Sequence, residues 1–394
     1  MEGMRLLHKL RLTNFLSYGP EGTEIELQPL NVLIGPNGSG KSNLIEAISL
    51  LKAAPTDISR PIREGGGMTE WTWKGNADIR SADLDLRADL ADLDGRHPLR
   101  YILQLRCVGQ NAEVAYESVG YECLAQDGTQ ERHLVYEYRN GLATLTAANK
   151  PTQELRNLNA RESVLSQRRD PEAYPEVTLL GELFRDTEMF RDLNFGPRSL
   201  LRGPQRADQP SGFLLDDGRN LGCVLNNLLN FPTFKKRLVS ELKRFHEYAE
   251  DVTTRVVANT VESFVHERGF FEATPSQRLS DGALHYLCLL TILCHPAPPP
   301  LVCIEDPEVG LHPDILPIVA DLLVEASEQM QLIVTTHSDI LVSALSHVPE
   351  AVVVCERDDR GSHLRRLDTG QLREWLKNYS LGELWICGEI GGNS

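Results

Sequence analysis

The chain has 394 residues, 41% of them hydrophobic, enough to bury a sizeable core as one large domain with an insertion or as two domains. Its 40 basic and 56 acidic residues give a formal net charge of −16, which argues against a general polyanion-binding surface but leaves room for local basic patches. No apolar run reaches the roughly 18 residues of a membrane span, and none of the eight cysteines forms a C-x-x-C pair, so a cytoplasmic protein with reduced core thiols is expected.

The start, MEGMRLLHKLRLTNF, alternates like a strand where a signal peptide needs an apolar block. Leu6 to Phe15 and Glu24 to Leu27 read as two strands, with Tyr18 to Gly22 as the turn. The run NVLIGPNGSGKSNLIEAISLL follows. Asn31 to Ile34 is the end of a buried strand, Gly35 to Ser42 fit G-x-x-x-x-G-K-[ST], and Asn43 to Leu51 carry apolar residues at helical spacing. Strand, glycine loop and helix form a phosphate cradle. Gly35, Gly38 and Gly40 allow successive N–H groups to point at one anion, and the helix adds its positive end. Lys41 is expected to reach the β and γ phosphates of a nucleotide, and Ser42 to hold Mg²⁺.

Pro55 to Gly75, with Trp71 and Trp73, reads as a mobile loop ending in an aromatic plug, either a packed Trp pair or a direct ligand contact. From Ala77 to Thr146, short alternating segments are separated by DG, GQN, QDGT and RNG, the pattern of an antiparallel meander. Asp83, Asp85 and Asp89 are expected on its solvated face. Between Lys150 and Pro275 charged, leucine-containing segments such as PTFKKRLVSELKRFHEYAEDV and TTRVVANTVESFVHERGFF predict a compact helical insertion, without the heptads of a long coiled coil. Its densest positive groups are Arg198, Arg202 and Arg206, then Lys235, Lys236 and Arg237. They read as a solvated helix face, with nucleic-acid or partner contact as the alternative.

RLSDGALHYLCLLTIL opens a strongly apolar helix that Ser280 or Asp281 would cap, and its N-terminus offers a second anion site. Leu301 to Ile304 is a buried strand ending in Glu305, Asp306, Pro307 and Glu308. Two carboxylates at a strand end can hold Mg²⁺ through its water shell and orient an attacking water. Gln331 to Thr335 is another strand, ending in Thr336, His337 and Ser338. His337 could hydrogen-bond a γ phosphate, although an isolated strand-end histidine is more often structural. The cluster Glu356, Asp358 and Asp359 reads as a charged turn in preference to a metal site.

GPNGSGKS, LSDG opening a helix, IEDPEVGLHP and TTHSD, in this order, resemble the ABC-type ATPase heads of the SMC and RecF group. The chain looks most like stand-alone ATPases related to the overcoming-lysogenization-defect nucleases, many of them implicated in phage defence, and its ending YSLGELWICGEIGG looks like their tail. The resemblance implies an α/β fold, a P-loop ABC-type ATPase head with an antiparallel β-meander and a helical insertion. Residues 1–150 would form an N-terminal lobe, 151–275 the insertion and 276–394 the C-terminal ATPase lobe. Gly35, Pro36, Asn37, Gly38, Ser39, Gly40, Lys41, Ser42 and Asn43 would bind the nucleotide, ATP. Ser280 and Gly282 match the signature that contacts the γ phosphate held by an opposite subunit. Glu305 matches the Walker B acid, sharing Mg²⁺ with Ser42, Asp306 the catalytic carboxylate, and His337 the switch histidine. The family's usual acid order is Asp then Glu, or Glu then Glu. Here a shorter acid stands at the catalytic position, so hydrolysis could be slow or Glu308 could contribute.

The resemblance further implies a homodimer or higher homo-oligomer built on an ATP sandwich, with a separate effector protein, no membrane association, and nucleic acid left open. An ATP-binding subunit of a membrane transporter is the alternative. From Lys41 to Ser280 there are 280 − 41 = 239 positions, more than a compact transporter head implies. The 394 − 337 = 57 residues after His337 are too few for a typical added nuclease domain.

Overall fold

The computed structural model describes residues 3–75, 83–90, 98–124, 130–139, 141–146, 153–155, 157–191 and 193–392. The expected turns at 94–95, 126–129 and Asn140, the side chain of Cys123 and the expected start of the insertion at Lys150 lie outside them. The strands in chain order begin with β1 (Leu7–Thr13), β2 (Thr23–Glu26), β3 (Leu30–Ile34), β4 (Leu84–Leu90), β5 (Leu99–Val108) and β6 (Asn111–Leu124). Then come β7 (Gln130–Arg139), β8 (Leu142–Leu145), β9 (Gln153–Leu155), β10 (Glu188–Phe190), β11 (Gln205–Arg206) and β12 (Ala249–Val257). The last are β13 (Thr260–Glu267), β14 (Thr274–Pro275), β15 (Leu301–Glu305), β16 (Gln331–Thr335), β17 (Val352–Asp358) and β18 (Gly361–Arg366).

A six-stranded sheet in the order β10-β15-β16-β3-β17-β18 holds the chemistry. It is parallel from β10 to β17, with β18 antiparallel at the edge. Its inner strands β3, β15 and β16 are buried on both faces, as parallel strands covered by other layers must be. The alternation of side chains divides the core in two. Leu33, Cys303, Ile333 and Val353 join the cluster under the meander and the helix Lys41–Ala53. Val32, Ile304, Val334 and Val354 join the cluster under the helices Asp281–Leu293 and Leu316–Ala326.

The predicted meander is an eight-stranded antiparallel sheet, β2-β1-β4-β5-β6-β7-β8-β9, which recruits both N-terminal strands. Its acidic face differs from the expectation. Asp85 is only 9% exposed and pairs with Arg87 at 2.9 Å, while Asp83 and Asp89 meet Arg106 at 3.1 Å and Arg100 at 2.8 Å on the neighbouring strand. Arginines, one on the same strand as Asp85 and two across the ladder, and not water alone, face these carboxylates.

In the insertion, Pro232–Phe245 is helical, but TTRVVANTVESFVHE is not. It forms the β12–β13 hairpin, completed by β11 and β14. The segment is rich in β-branched residues, and Val261, Ser263 and Val265 are buried at every second position, the period of a strand. Of its positive groups, Lys235, Lys236 and Arg237 lie on the helix Pro232–Phe245 and are half-buried or exposed, as expected, whereas Arg198, Arg202 and Arg206 lie on turns and a short strand. Arg206 pairs with Asp208, Lys235 with Asp251 at 2.9 Å and Arg237 with Glu325 at 2.6 Å. Arg202 stands on a turn and reaches the signature. Pro55 to Gly75 contains the short helices Ser59–Glu64 and Met68–Trp71, and Trp71 is buried edge-on against Phe15, which makes this stretch part of the core and not an open loop. Cys223, Cys288, Cys294, Cys303 and Cys355 are buried free thiols. No helix among the described residues is long and apolar enough to cross a membrane.

Candidate active site

The glycine loop leaves the buried end of β3 and enters the helix Lys41–Ala53. Its backbone needs two of its glycines for space as well as for conformation. A Cβ on Gly35 (φ +146°) would lie 2.2 Å from the Cys355 carbonyl, and one on Gly40 (φ +107°) 2.5 Å from the Ser362 hydroxyl. Gly40 is the N-cap and brings no side-chain cap, so the first amides of the helix stay available to an anion. The buried Tyr18 hydroxyl donates to the Gly40 carbonyl at 2.9 Å and pins the end of the loop. Lys41 donates to the carbonyls of Gly35 at 2.6 Å and Pro36 at 3.1 Å. Burial lowers its pKa, opposed by Cys355, Asp306 and Glu308, so both carboxylates act on this ammonium. Ser39 is buried, and its hydroxyl has no hydrogen-bond partner among the described residues. Ser42 is exposed. The Asn43 side chain donates to Ser17 at 2.7 Å, which leaves its backbone for the loop.

Parallel strands deliver the remaining groups to the same edge of the sheet, the carboxyl ends of β15 and β16, where ligands of open α/β sheets bind. Glu305 is bound by Arg191 at 2.8 Å, and the same guanidinium reaches Glu46 on the loop helix, also at 2.8 Å. Burial raises the Glu305 pKa, and Arg191 opposes that rise. Asp306 takes a left-handed backbone (φ +47°), a conformation that a short acid tolerates better than most residues. Its amide donates to the Thr335 carbonyl at 3.1 Å, and Thr335 Oγ1 donates to its Oδ1 at 3.2 Å. Glu308 Oε1 accepts from Thr336 Oγ1 at 2.8 Å and from the His337 amide at 2.7 Å, while Oε2 is buried with no partner among the described residues. His337 itself is exposed. Lys41, Asp306, Glu308 and the His337 loop are thus gathered at one place.

Ser280 and Gly282 stand on a separate element. Ser280 caps the helix Asp281–Leu293, accepting from the Ala283 amide at 3.1 Å, and is exposed. Two contacts tie this helix to the segment after the acids: His285 Nδ1 lies 2.7 Å from the Val309 carbonyl, and a Cβ on Gly282 would be 2.9 Å from the Gly310 carbonyl. Arg202 braces the turn before it. The guanidinium donates to the Leu279 carbonyl at 2.6 Å and to the Phe195 carbonyl at 3.0 Å, and it pairs with Asp281.

Sequence reasoning missed Arg191, Arg202 and the anchoring role of Glu308, because each acts through a partner distant in the chain or on another strand. It also left the nucleotide base without contacts. A cleft of about 290 Å³ beside Asn43 and Ser17 is lined by Leu16, Thr72, Trp73 and Arg357, with Arg357 5.9 Å from the Trp73 ring centre. A larger cleft of about 730 Å³ runs along the other side of the loop helix, past Glu46, Lys52 and Arg191. It contains neither Lys41 nor Asp306, so its size does not make it the centre of the chemistry. Glu356 and Asp358 bind protein groups, Glu356 accepting from the Gly392 amide at 3.0 Å and Asp358 meeting His363 at 3.0 Å, as a turn and tail anchor would. Among the described residues no three His, Cys, Asp or Glu side chains form a self-contained metal cage. The oxygen donors Ser42 and Glu305, with a nucleotide's phosphates, nevertheless fit Mg²⁺, which uses one or two carboxylates and substrate oxygens.

A glycine-rich loop on a central parallel strand, acids two strands away and a helix capped by Ser280 are set on the fold of an SMC head. The structure matches an Smc head bound to the C-winged helix domain of ScpA with a TM-score of 0.57 at 15% identity, over 93% of this chain and 99% of that one. It matches an Smc head domain with an extended coiled coil, bound to the C-terminal domain of ScpA from Pyrococcus furiosus, with a TM-score of 0.56 at 12% identity, over 95% and 99%. In sequence, 81 residues are 36% identical to the Old nuclease of Escherichia phage P2, covering 20% of this chain and only 14% of that protein. A family profile described as "AAA domain, putative AbiEii toxin, Type IV TA system" matches residues 131–343, and a second AAA-domain profile matches residues 9–73. The first covers more than half of the chain, which therefore belongs to this AAA-domain family.

Proposed function

We propose that the chain binds ATP with Mg²⁺ and hydrolyses it, and that two copies close head to tail around two nucleotides. The observation that carries this reading is the convergence of Lys41, Asp306, Glu308 and the His337 loop beside a helix N-terminus without a side-chain cap. In this reading, loop amides and Lys41 hold the β and γ phosphates, Ser42 and Glu305 hold Mg²⁺, and His337 faces the γ phosphate. Trp73 and Arg357 offer a flat, cationic cleft suited to the base. Bound Mg²⁺ would supply charge neutralisation on the phosphates. The protein's share is positioning and fixed charge, the main needs of phosphoryl transfer.

The exposed N-terminus of the Ser280 helix supplies the face for the second copy, and large apolar side chains are exposed on loops before and after it: Phe270 and Phe271 before the signature, and Val309 after the acids. Closure would act on an effector carried by a separate polypeptide, in a phage-defence or DNA-related complex. A transporter subunit gains no support from the SMC-head fold. The dimer reading predicts a nucleotide-dependent rise in solution mass that Lys41→Ala abolishes, as developed at the end of the Discussion.

A further inference from the structure

We propose that Glu308, and not Asp306, is the carboxylate that takes the proton of the water attacking the γ phosphate, an inference that rests on the ATPase reading above. Asp306 is the expected base by position, yet the structure turns it back on itself. Its backbone is left-handed, and its short side chain accepts from Thr335 Oγ1 at 3.2 Å. A carboxylate one methylene shorter than glutamate, held against the neighbouring strand, has little reach.

Glu308 is built differently. Two donors, Thr336 Oγ1 at 2.8 Å and the His337 amide at 2.7 Å, fix Oε1. The second oxygen, Oε2, is buried and has no hydrogen-bond partner among the described residues. A buried acceptor without a donor is costly, more so when charged, and a water molecule is a donor that relieves it. The anchors of Glu308 follow β16, which pairs with β3, the strand that feeds the phosphate loop, and the Thr336 amide donates to the Leu33 carbonyl at 3.1 Å, which sets this carboxylate on the phosphate side of the sheet. The anchor is shared with the loop that presents His337, so an acceptor for the water and a group facing the phosphate move as one body. One residue further on, the Val309 carbonyl meets His285 of the signature helix at 2.7 Å. The position of the base is therefore mechanically linked to the surface on which a second copy would close.

A lone pair of the water oxygen forms a bond to the γ phosphorus while the bond from that phosphorus to the β,γ-bridging oxygen breaks, its electron pair leaving with ADP. One water proton passes to Glu308 Oε2, the other stays on the phosphate product, and Glu308 then releases its proton to solvent.

Phosphate release and ATP binding measured on wild-type, Glu308→Gln, Glu308→Asp and Asp306→Asn protein test this. Gln keeps an oxygen for Thr336 and the His337 amide but cannot take a proton, which separates base from anchor. Turnover is expected to fall at least about 100-fold in Glu308→Gln, the scale of general-base loss, with ATP affinity and melting temperature unchanged. Glu308→Asp, which shortens the arm without removing the base, is expected to be impaired as well, and Asp306→Asn to lose less than about tenfold. A loss in Asp306→Asn as large as in Glu308→Gln, or near-normal turnover in Glu308→Gln, would overturn the inference. Wild-type protein without Lys41-dependent turnover would instead defeat the ATPase reading itself, and this inference with it.

Discussion

Arg202 offers the sharpest test of how the signature is held. Replacing it by alanine removes the charge-assisted hydrogen bond to the Leu279 carbonyl at 2.6 Å and the ion pair with Asp281, on a side chain only 13% exposed. A hydrogen bond to a charged group contributes about 1.5 kcal/mol net of water at the lower end of its range, and the pair with Asp281, whose side chain is 59% exposed, adds little to it. The brace is then worth about 1.5 kcal/mol per turn. A closed dimer orders two such turns. The cost to dimerisation is then about 3 kcal/mol, or roughly 100-fold in dissociation constant. The contacts lie away from the phosphate loop, so nucleotide binding by the monomer is expected to be unchanged. Sedimentation of Arg202→Ala across a concentration series with Mg²⁺ and a slowly hydrolysed ATP analogue reads the shift, and a fluorescent nucleotide reads the binding. A folded Arg202→Ala protein that dimerises at wild-type concentrations would refute the brace.

Two further predictions concern the scaffold. Gly35→Ala places a methyl 2.2 Å from the Cys355 carbonyl in a left-handed conformation, and is expected to lower the melting temperature and abolish nucleotide binding together; an unchanged melting temperature would show that the loop has room. Glu117 is buried among Tyr101 at 2.7 Å, Ser163 and the Val164 amide at 2.9 Å, and burial raises its pKa above the ordinary 4.5, against the opposing pull of those donors. With the folded pKa raised, its contribution to stability is complete below the unfolded value and is lost as pH rises through the folded one. Glu117→Gln does not titrate, so the urea midpoint of the variant relative to wild type should move in the variant's favour from pH 4 towards pH 7. A difference that does not change with pH would contradict this.

The phosphate loop was legible because its constraints are local: glycine at close approaches, lysine at the helix start, apolar residues on either side. The acids at the end of β15 and the cap of the signature helix were legible for the same reason. The roles of Arg191, Arg202 and Glu308 were not, since their meaning comes from partners on other elements: Glu305 is 114 positions from Arg191, and Asp281 is 79 from Arg202. Asp85 looked like a surface acid because nothing in its own strand reveals Gln104 across the ladder, 3.3 Å away. The β12–β13 hairpin was missed although its period-two burial and β-branched content are written in the sequence. Ala258, with a left-handed φ of +52°, turns the chain there in place of a glycine and masks the break.

In the closed dimer proposed above, nucleotide held by Lys41 brings two Ser280 helices onto two phosphate loops. This closure is tested most directly by the solution mass of the protein with and without Mg²⁺ and a slowly hydrolysed ATP analogue, alongside Lys41→Ala and Ser280→Arg. Mass is expected to double on adding nucleotide to the wild-type chain. Lys41→Ala should stay at its starting mass because it does not bind, and Ser280→Arg should bind nucleotide and still fail to double. A wild-type mass that does not change while nucleotide is demonstrably bound, or a Ser280→Arg protein that doubles normally, would contradict it.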